Sequence, residues 1–238
     1  MLYSVATEFN KTLNFLSERD GQTHEQWEGQ QTFVVGHIAL GYITGKATSK
    51  LLNINTNIPL LFVVSIIADV DLLIPGLEHR GPTHSIILFL ITAFPAVLVW
   101  KKQAIPYLAA LASHPFLGDY LTTSSATEGL QLFFPLSSNW FLGGSEAATL
   151  TYIYLELALF IVLLTLMVTT RDITTLIKQH PSNLLLSIPL STALLPIFMQ
   201  FPIPVPPELI IPHFILLILL ALPILIDIKH LMHRHRRF

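Results

Sequence analysis

Residues 85–121 read SIILFLITAFPAVLVWKKQAIPYLAALASHPFLGDYL. Two apolar runs, Ser85–Trp100 and Ala104–Leu121, flank the pair Lys101 and Lys102. Each run approaches the ~20 residues that carry a helix across a bilayer. The pattern recurs at Ile58–Pro75, Leu150–Thr169, Asn183–Phe201 and Leu209–Ile226. Lipid offers no partner to an open backbone, so these runs are expected as helices. Thr32–Gly45 is a further candidate, at about 20 Å a short one. The expected fold is all-α, a polytopic membrane helical bundle of about six to seven transmembrane helices. No internal repeat is evident, which weighs against many transporter folds.

Composition agrees with that reading. Of 238 residues, 52% are hydrophobic and 12% charged, against about 25% charged in a soluble domain. Such a chain is neither disordered nor able to cover its apolar surface in water. It has no cysteine, which excludes disulfides, thiolate catalysis and cysteine-based zinc sites. A net charge of −2 suggests no general affinity for nucleic acid, and the apolar composition makes membrane lipids the expected partners. Self-association into a homo-oligomer is left open.

Three regions follow. Residues 1–31 lack the continuous apolar core of a signal peptide. They place Leu2, Val5, Phe9, Leu13 and Leu16 at helical spacing, an amphipathic segment for the membrane surface or for the protein's own loops. Residues 32–140 carry the unusual polar groups. Residues 141–238 hold the rest of an aromatic loop, three further spans and a basic tail. The Lys and Arg residues fall at alternate ends: Lys46, Lys50, Lys101, Lys102, Arg171, Lys178, Lys229, Arg234, Arg236 and Arg237 at one, and Arg80 at the other, with Lys11 and Arg19 in the N-terminal segment. This expects a multi-pass protein of the cell membrane with a cytoplasmic C-terminus and the Arg80 end outside.

Ionisable groups within spans are costly and by default functional. Up-down connectivity brings His37, Asp69, Asp71, His79, Arg80, His84, His114 and Asp119 to one level. Carboxylates and imidazoles without thiols form a ligand set for zinc or a similar divalent ion. Asp69 and Asp71 are about 200° apart on a helix. They share a metal only if the helix unwinds; otherwise Asp69 ligates and Asp71 orients a partner such as Arg80. His79 can ligate or orient a ligating imidazole. His114 and Asp119 are about 140° apart on a regular helix. A shared face there needs a distortion of the kind that Pro115 or a π-bulge produces. Thr83 and Ser85 read as support for His84. Glu156 lies about 10 Å into its span and reads best as a hydrogen bond to a neighbouring helix. His213 reads as structural.

The runs GHIALGY (36–42), ADVDLLIPGLEHRGPTHS (68–85), SHPFLGDYLT (113–122) and GLQLFFPLS (129–137) resemble the YdjM-like family of small membrane-bound metal-dependent hydrolases. That family is distantly similar to zinc-dependent phospholipase C and the S1/P1 nucleases. The resemblance implies His37, Asp69, His84, His114 and Asp119 as metal ligands. The family commonly has three residues between the late His and Asp; this chain has four.

The expected function is a membrane-embedded metal-dependent hydrolase, phosphoesterase-like, acting on a lipid phosphoester at the outer interface. Zinc is the expected metal. Asp71 is the candidate general base, and Arg80 could bind a substrate phosphate or neutralise Asp71 or Glu78. The alternative is an ion or metal transporter using the same His/Asp cluster. It predicts polar residues continuing toward the cytoplasmic face, where the early helices offer little beyond Thr44 and Ser65.

Overall fold

Helix is the regular structure among the described residues, as an apolar chain in lipid requires; the β contact there is an isolated bridge between Leu130 and Phe141. The computed structural model describes residues 33–122, 129–143, 149–198 and 205–235. The expected surface helix within residues 1–31 lies outside them, as do parts of the loop 123–149.

Helix α1 (Val34–Leu51) is followed by α2 (Ile58–Ile66), which tightens into a 3-10 segment, Ile67–Leu73. A short 3-10 turn, Pro82–His84, leads into α3 (Ile86–Trp100). Helix α4 (Ile105–Ser113) continues through a π-helical turn, His114–Asp119, to Thr122. Then come α5 (Thr149–Thr169), α6 (Asp172–Leu176), α7 (Ser187–Phe198) and α8 (Ile210–His235).

Among the described residues, four helical stretches are long and apolar enough to cross a membrane: Ile86–Thr122, Thr151–Thr169, Pro181–Phe198 and Pro207–His233. The first contains both apolar runs of the 85–121 segment. Lys101, at φ 53°, reverses the chain between them. Phe89 at the start of α3 therefore meets Phe116 at the end of α4, with ring centroids 5.8 Å apart. These four stretches, the first of them a hairpin, support a multi-span helical bundle and do not confirm the expected count of six to seven. The runs around α1 and α2 instead supply the middle of the bundle.

Helix α1 is central. Ile38, Ala39 and Tyr42 pack with Leu61 and Phe62 of α2, Leu163 and Met167 of α5, and Leu216 and Leu220 of α8. Gly41 lets α1 and α2 touch, since a Cβ there would collide with the Ser65 hydroxyl. Small residues at such contacts are the usual device of helix packing in membranes.

Two buried polar links hold the ends of α1. At its start, Glu156 of α5 accepts hydrogen bonds from the Phe33 N–H (2.6 Å) and the Gly36 N–H (3.2 Å). The carboxylate caps the helix and meets its positive end, the interhelical role expected of it. At the far end, Asp172 accepts from Tyr42 Oη at 2.6 Å and pairs with Lys46. Asn57 bonds Ser182, and the His180 N–H donates to Asp227, in the same end of the molecule. His213 ties α8 to α7 through the Ala193 carbonyl at 2.7 Å, a structural bond as expected.

Glu156→Ala leaves two helix N–H groups buried and unpaired. It should lower stability by about 1–3 kcal/mol, read as an earlier thermal unfolding of the detergent-solubilised protein. An unchanged midpoint would contradict the capping role.

Candidate metal centre

Four backbone devices bring the polar residues together. The 3-10 segment after α2 points Asp69 and Asp71 in different directions. Asp69 Oδ1 faces His114 Nε2 at 3.0 Å and His84 Nε2 at 3.5 Å. Asp71 faces away from that group. Its Oδ1 lies 3.1 Å from His79 Nδ1, and its Oδ2 accepts from Thr83 Oγ1 at 2.7 Å. Of the two arrangements open to this pair, the structure adopts the one in which Asp71 orients a partner. That partner is Thr83 and His79, not Arg80.

The π turn answers the spacing of His114 and Asp119. Its i→i+5 bonding brings residues five apart round to one face, so the extra residue relative to the family's usual spacing is absorbed. Asp119 Oδ2 stands 3.2 Å from His114 Nε2 and 3.3 Å from His84 Nε2. Asp119 Oδ1 is taken by Arg80 Nη2 at 2.9 Å. Gly118, inside the turn, lets the His37 ring approach, because a Cβ there would lie 2.6 Å from His37 Nδ1.

The third device is the turn 78–85. Arg80 has φ 61° and is 1% exposed. A non-glycine residue in this region is uncommon and is held only where its surroundings over-determine it. The fourth device, the loop 129–143, does that. The Gln131 N–H donates to the Arg80 carbonyl at 3.1 Å, and the Ile86 N–H to the Leu132 carbonyl at 2.9 Å. Ser85 Oγ donates to the carbonyls of Leu132 and Phe134, and accepts from the Ile87 N–H. The expected support from Ser85 is thus a clamp between two loops. Phe133 and Trp140 of this loop are exposed.

The ligand atoms Asp69 Oδ1, His84 Nε2, His114 Nε2 and Asp119 Oδ2 form a buried group able to hold a metal ion. Their cross-contacts of 3.0–3.5 Å suit one ion. With bonds of about 2.0–2.1 Å, tetrahedral ligands stand about 3.3–3.4 Å apart. The tautomers agree. His114 Nδ1 meets the Ser65 carbonyl at 2.8 Å, and that bond makes it the donor. The Thr83 hydroxyl spends its proton on Asp71, so it accepts from His84 Nδ1 at 3.0 Å. Both imidazoles then turn an Nε2 lone pair toward two carboxylate oxygens. His84 Nε2 and Asp119 Oδ2 are buried without a hydrogen-bond partner among the described residues, a costly state that a cation would relieve. Burial pushes the His84 imidazole down, but the carboxylates of Asp119, Asp69 and Asp71 around it outweigh this and raise it well above its usual value.

The other site candidates stand around this group. His37 stacks on His114 with centroids 3.8 Å apart, and its Nε2 is 3.5 Å from Asp119 Oδ1. It lies outside the group of four. His79 joins Asp71 and His84 in a second, more open group. Its side chain is 18% exposed and that of Asp69 7%, against 0% for His84 and His114, so the centre meets its surroundings on the His79 side. Arg80 neutralises Asp119 instead of Asp71 or Glu78. The Ser65 carbonyl was not legible in the sequence as a functional group; the one cue was a serine inside an apolar helix.

A model of the YdjM inner membrane protein family matches residues 32–201. No curated protein and no solved structure matches.

Thr83→Val removes the hydroxyl that links Asp71 to His84 while keeping the shape. Loss of such an orienting bond typically costs about 10–100-fold in metal affinity. Titration of the metal-free protein with Zn²⁺ should show that weakening, and an unchanged affinity would remove Thr83 from the account.

Proposed function

The chain belongs to the YdjM inner membrane protein family, and we propose that it is a membrane-embedded, metal-dependent hydrolase of a lipid phosphoester. The observation that carries this reading is the group of four buried ligand atoms with two of them unpartnered. Three carboxylates, Asp69, Asp71 and Asp119, and one guanidinium, Arg80, leave a double negative charge that a divalent cation balances. The oxygen and imidazole set with four-coordinate spacing favours zinc. Such an ion polarises a phosphoryl oxygen and lowers the pKa of bound water.

The residues divide the remaining work. Asp69, His84, His114 and Asp119 hold the cation. Arg80 is buried against Asp119 and positions that ligand rather than reaching out to a substrate. Asp71 is also buried, so it acts through His79. Its carboxylate orients the imidazole, and the partly open His79 takes the proton from the attacking water. His37, stacked on His114, holds that ring in place.

The transporter alternative is less well supported. The layer below the centre is Ile38, Ala39, Tyr42, Leu61 and Phe62, all buried and largely apolar. An ion path would need polar groups there. Sidedness follows the positive-inside rule. Lys46 and Asp172 mark the end opposite the centre, and the sequence expects Lys50, Lys101, Lys102, Arg171 and Lys178 at that end. The centre then faces the extracytoplasmic interface, with the C-terminus in the cytoplasm.

Purified protein in phospholipid nanodiscs with Zn²⁺ should release phosphoester products from radiolabelled lipid. His84→Ala should lose both the metal and at least 100-fold of the rate. Full hydrolysis by a metal-free His84→Ala protein would overturn the reading. A single cysteine at Ser138 should react with a membrane-impermeant maleimide from outside intact spheroplasts; reaction only after lysis would reverse the orientation.

A further inference from the structure

The two walls of the 86–122 hairpin touch at Phe89 and Phe116 and leave a cleft beside that contact. Helix α3 has no buried residue along its 15 residues, and a cleft runs between it and α2 and α4. The cleft has two chambers. One, of about 220 Å³, is lined by Ala68, Thr83, Phe89, Thr92, Leu111 and Pro115 among others. The next, of about 500 Å³, is lined by Val64, Thr92, Ala96, Trp100, Tyr107 and Leu111 among others. Thr92 and Leu111 line both, so the chambers are adjacent. On α3 the lining residues Leu88, Thr92, Ala96 and Trp100 form one i+4 row. The small side chains in the middle of that row keep the cleft open.

Its upper chamber is lined by residues adjacent in sequence to three of the ligands. Ala68 precedes Asp69, Thr83 precedes His84, and Pro115 follows His114. From Leu88 to Trp100 the row descends about 18 Å. One leaflet of the hydrocarbon core is about 15 Å deep. A long apolar cleft that opens beside a lipid-facing helix is continuous with the bilayer, whose solvent is acyl chains. Both chambers together fall in the ~300–1,000 Å³ range of ligand sites.

We propose that this cleft binds one fatty-acyl chain of a phospholipid and so delivers its phosphoester to the Asp69–His84–His114–Asp119 centre. The proposal rests on the hydrolase reading for what happens at the centre, not for the binding itself. A chain lying along α3 with its end toward Trp100 places its headgroup beside Thr83. The His79 side of the centre, where side chains are exposed, is then the side the phosphate meets. Specificity comes from the chain's length, which the row from Leu88 to Trp100 sets. Headgroup identity contributes less.

The test uses full-length protein in nanodiscs containing a phospholipid with a diazirine near the end of one acyl chain. After irradiation, adducts are mapped by mass spectrometry. Adducts should concentrate at least tenfold on Ala96, Tyr107 and Leu111 over the lipid-facing Ile161 and Ile218. Thr92→Trp, which plugs the junction, should cut the Leu111 adduct at least tenfold while bound zinc stays at the parental level. Ala96→Trp is a second plug, should Thr92→Trp lose its zinc. Hydrolysis of lipid should fall tenfold in the plugged protein, while hydrolysis of water-soluble bis(p-nitrophenyl) phosphate should not. Adducts spread evenly over Ile161, Ile218 and Leu111, or undiminished by both plugs, would overturn the cleft. Concentrated adducts without hydrolysis of either substrate would support the cleft and overturn the hydrolase.

Discussion

Two imidazole nitrogens and two carboxylate oxygens sit within 3.0–3.5 Å of their cross-partners in a part of the molecule almost closed to solvent. Lone pair faces anion, and only positive charge between them makes the arrangement stable. Much of the rest of the structure serves that constraint. The Ser65 carbonyl and the Thr83 hydroxyl fix the two rings by their Nδ1 atoms. Arg80 takes the outer oxygen of Asp119, and the loop 129–143 holds Arg80 in a backbone conformation it would not adopt alone. Gly41 draws α1 onto α2 at Ser65, so packing in the helix core and orientation in the centre are one problem.

Much of this was legible in the sequence because lipid makes polarity conspicuous. His37, Asp69, Asp71, His79, Arg80, His84, His114 and Asp119 stand out as ionisable groups in or beside apolar runs, and the structure brings all of them to one place. Pro115 and the five-residue step from His114 to Asp119 pointed to a distortion, and the π turn is that distortion. Pairings were harder. Which carboxylate Arg80 meets depends on how a turn at φ 61° aims its side chain, and nothing local in HRGPTHS decides between Asp71, Glu78 and Asp119. The Ser65 contribution comes from a main-chain oxygen, which carries no residue signature. The number of spans was hard to read for a related reason. Apolar length identifies a buried helix as readily as a lipid-facing one, and α1 and α2 occupy the interior.

The signature segments now have distinct physical duties. The 36–42 run supplies His37 and the close approach at Gly41. The 68–85 run supplies Asp69 and His84, together with the Asp71–Thr83 support behind them. The 113–122 run supplies the π turn, and the 129–137 run contributes hydrogen bonds rather than ligands. The family match, residues 32–201, takes in all four runs together with α5 and α7. Helix α8 lies beyond it, where it completes the core through Leu216 and Leu220.

The central claim is that these four side chains hold one divalent ion. X-ray absorption at the zinc edge of the purified, zinc-loaded protein tests it directly. The account predicts about four nitrogen and oxygen neighbours at about 2.0–2.1 Å, with outer scattering from two imidazoles. Both imidazole signals should vanish in a His84→Ala, His114→Ala double variant. A loaded ion surrounded by water oxygens without imidazole scattering, or a spectrum indifferent to those substitutions, would contradict it.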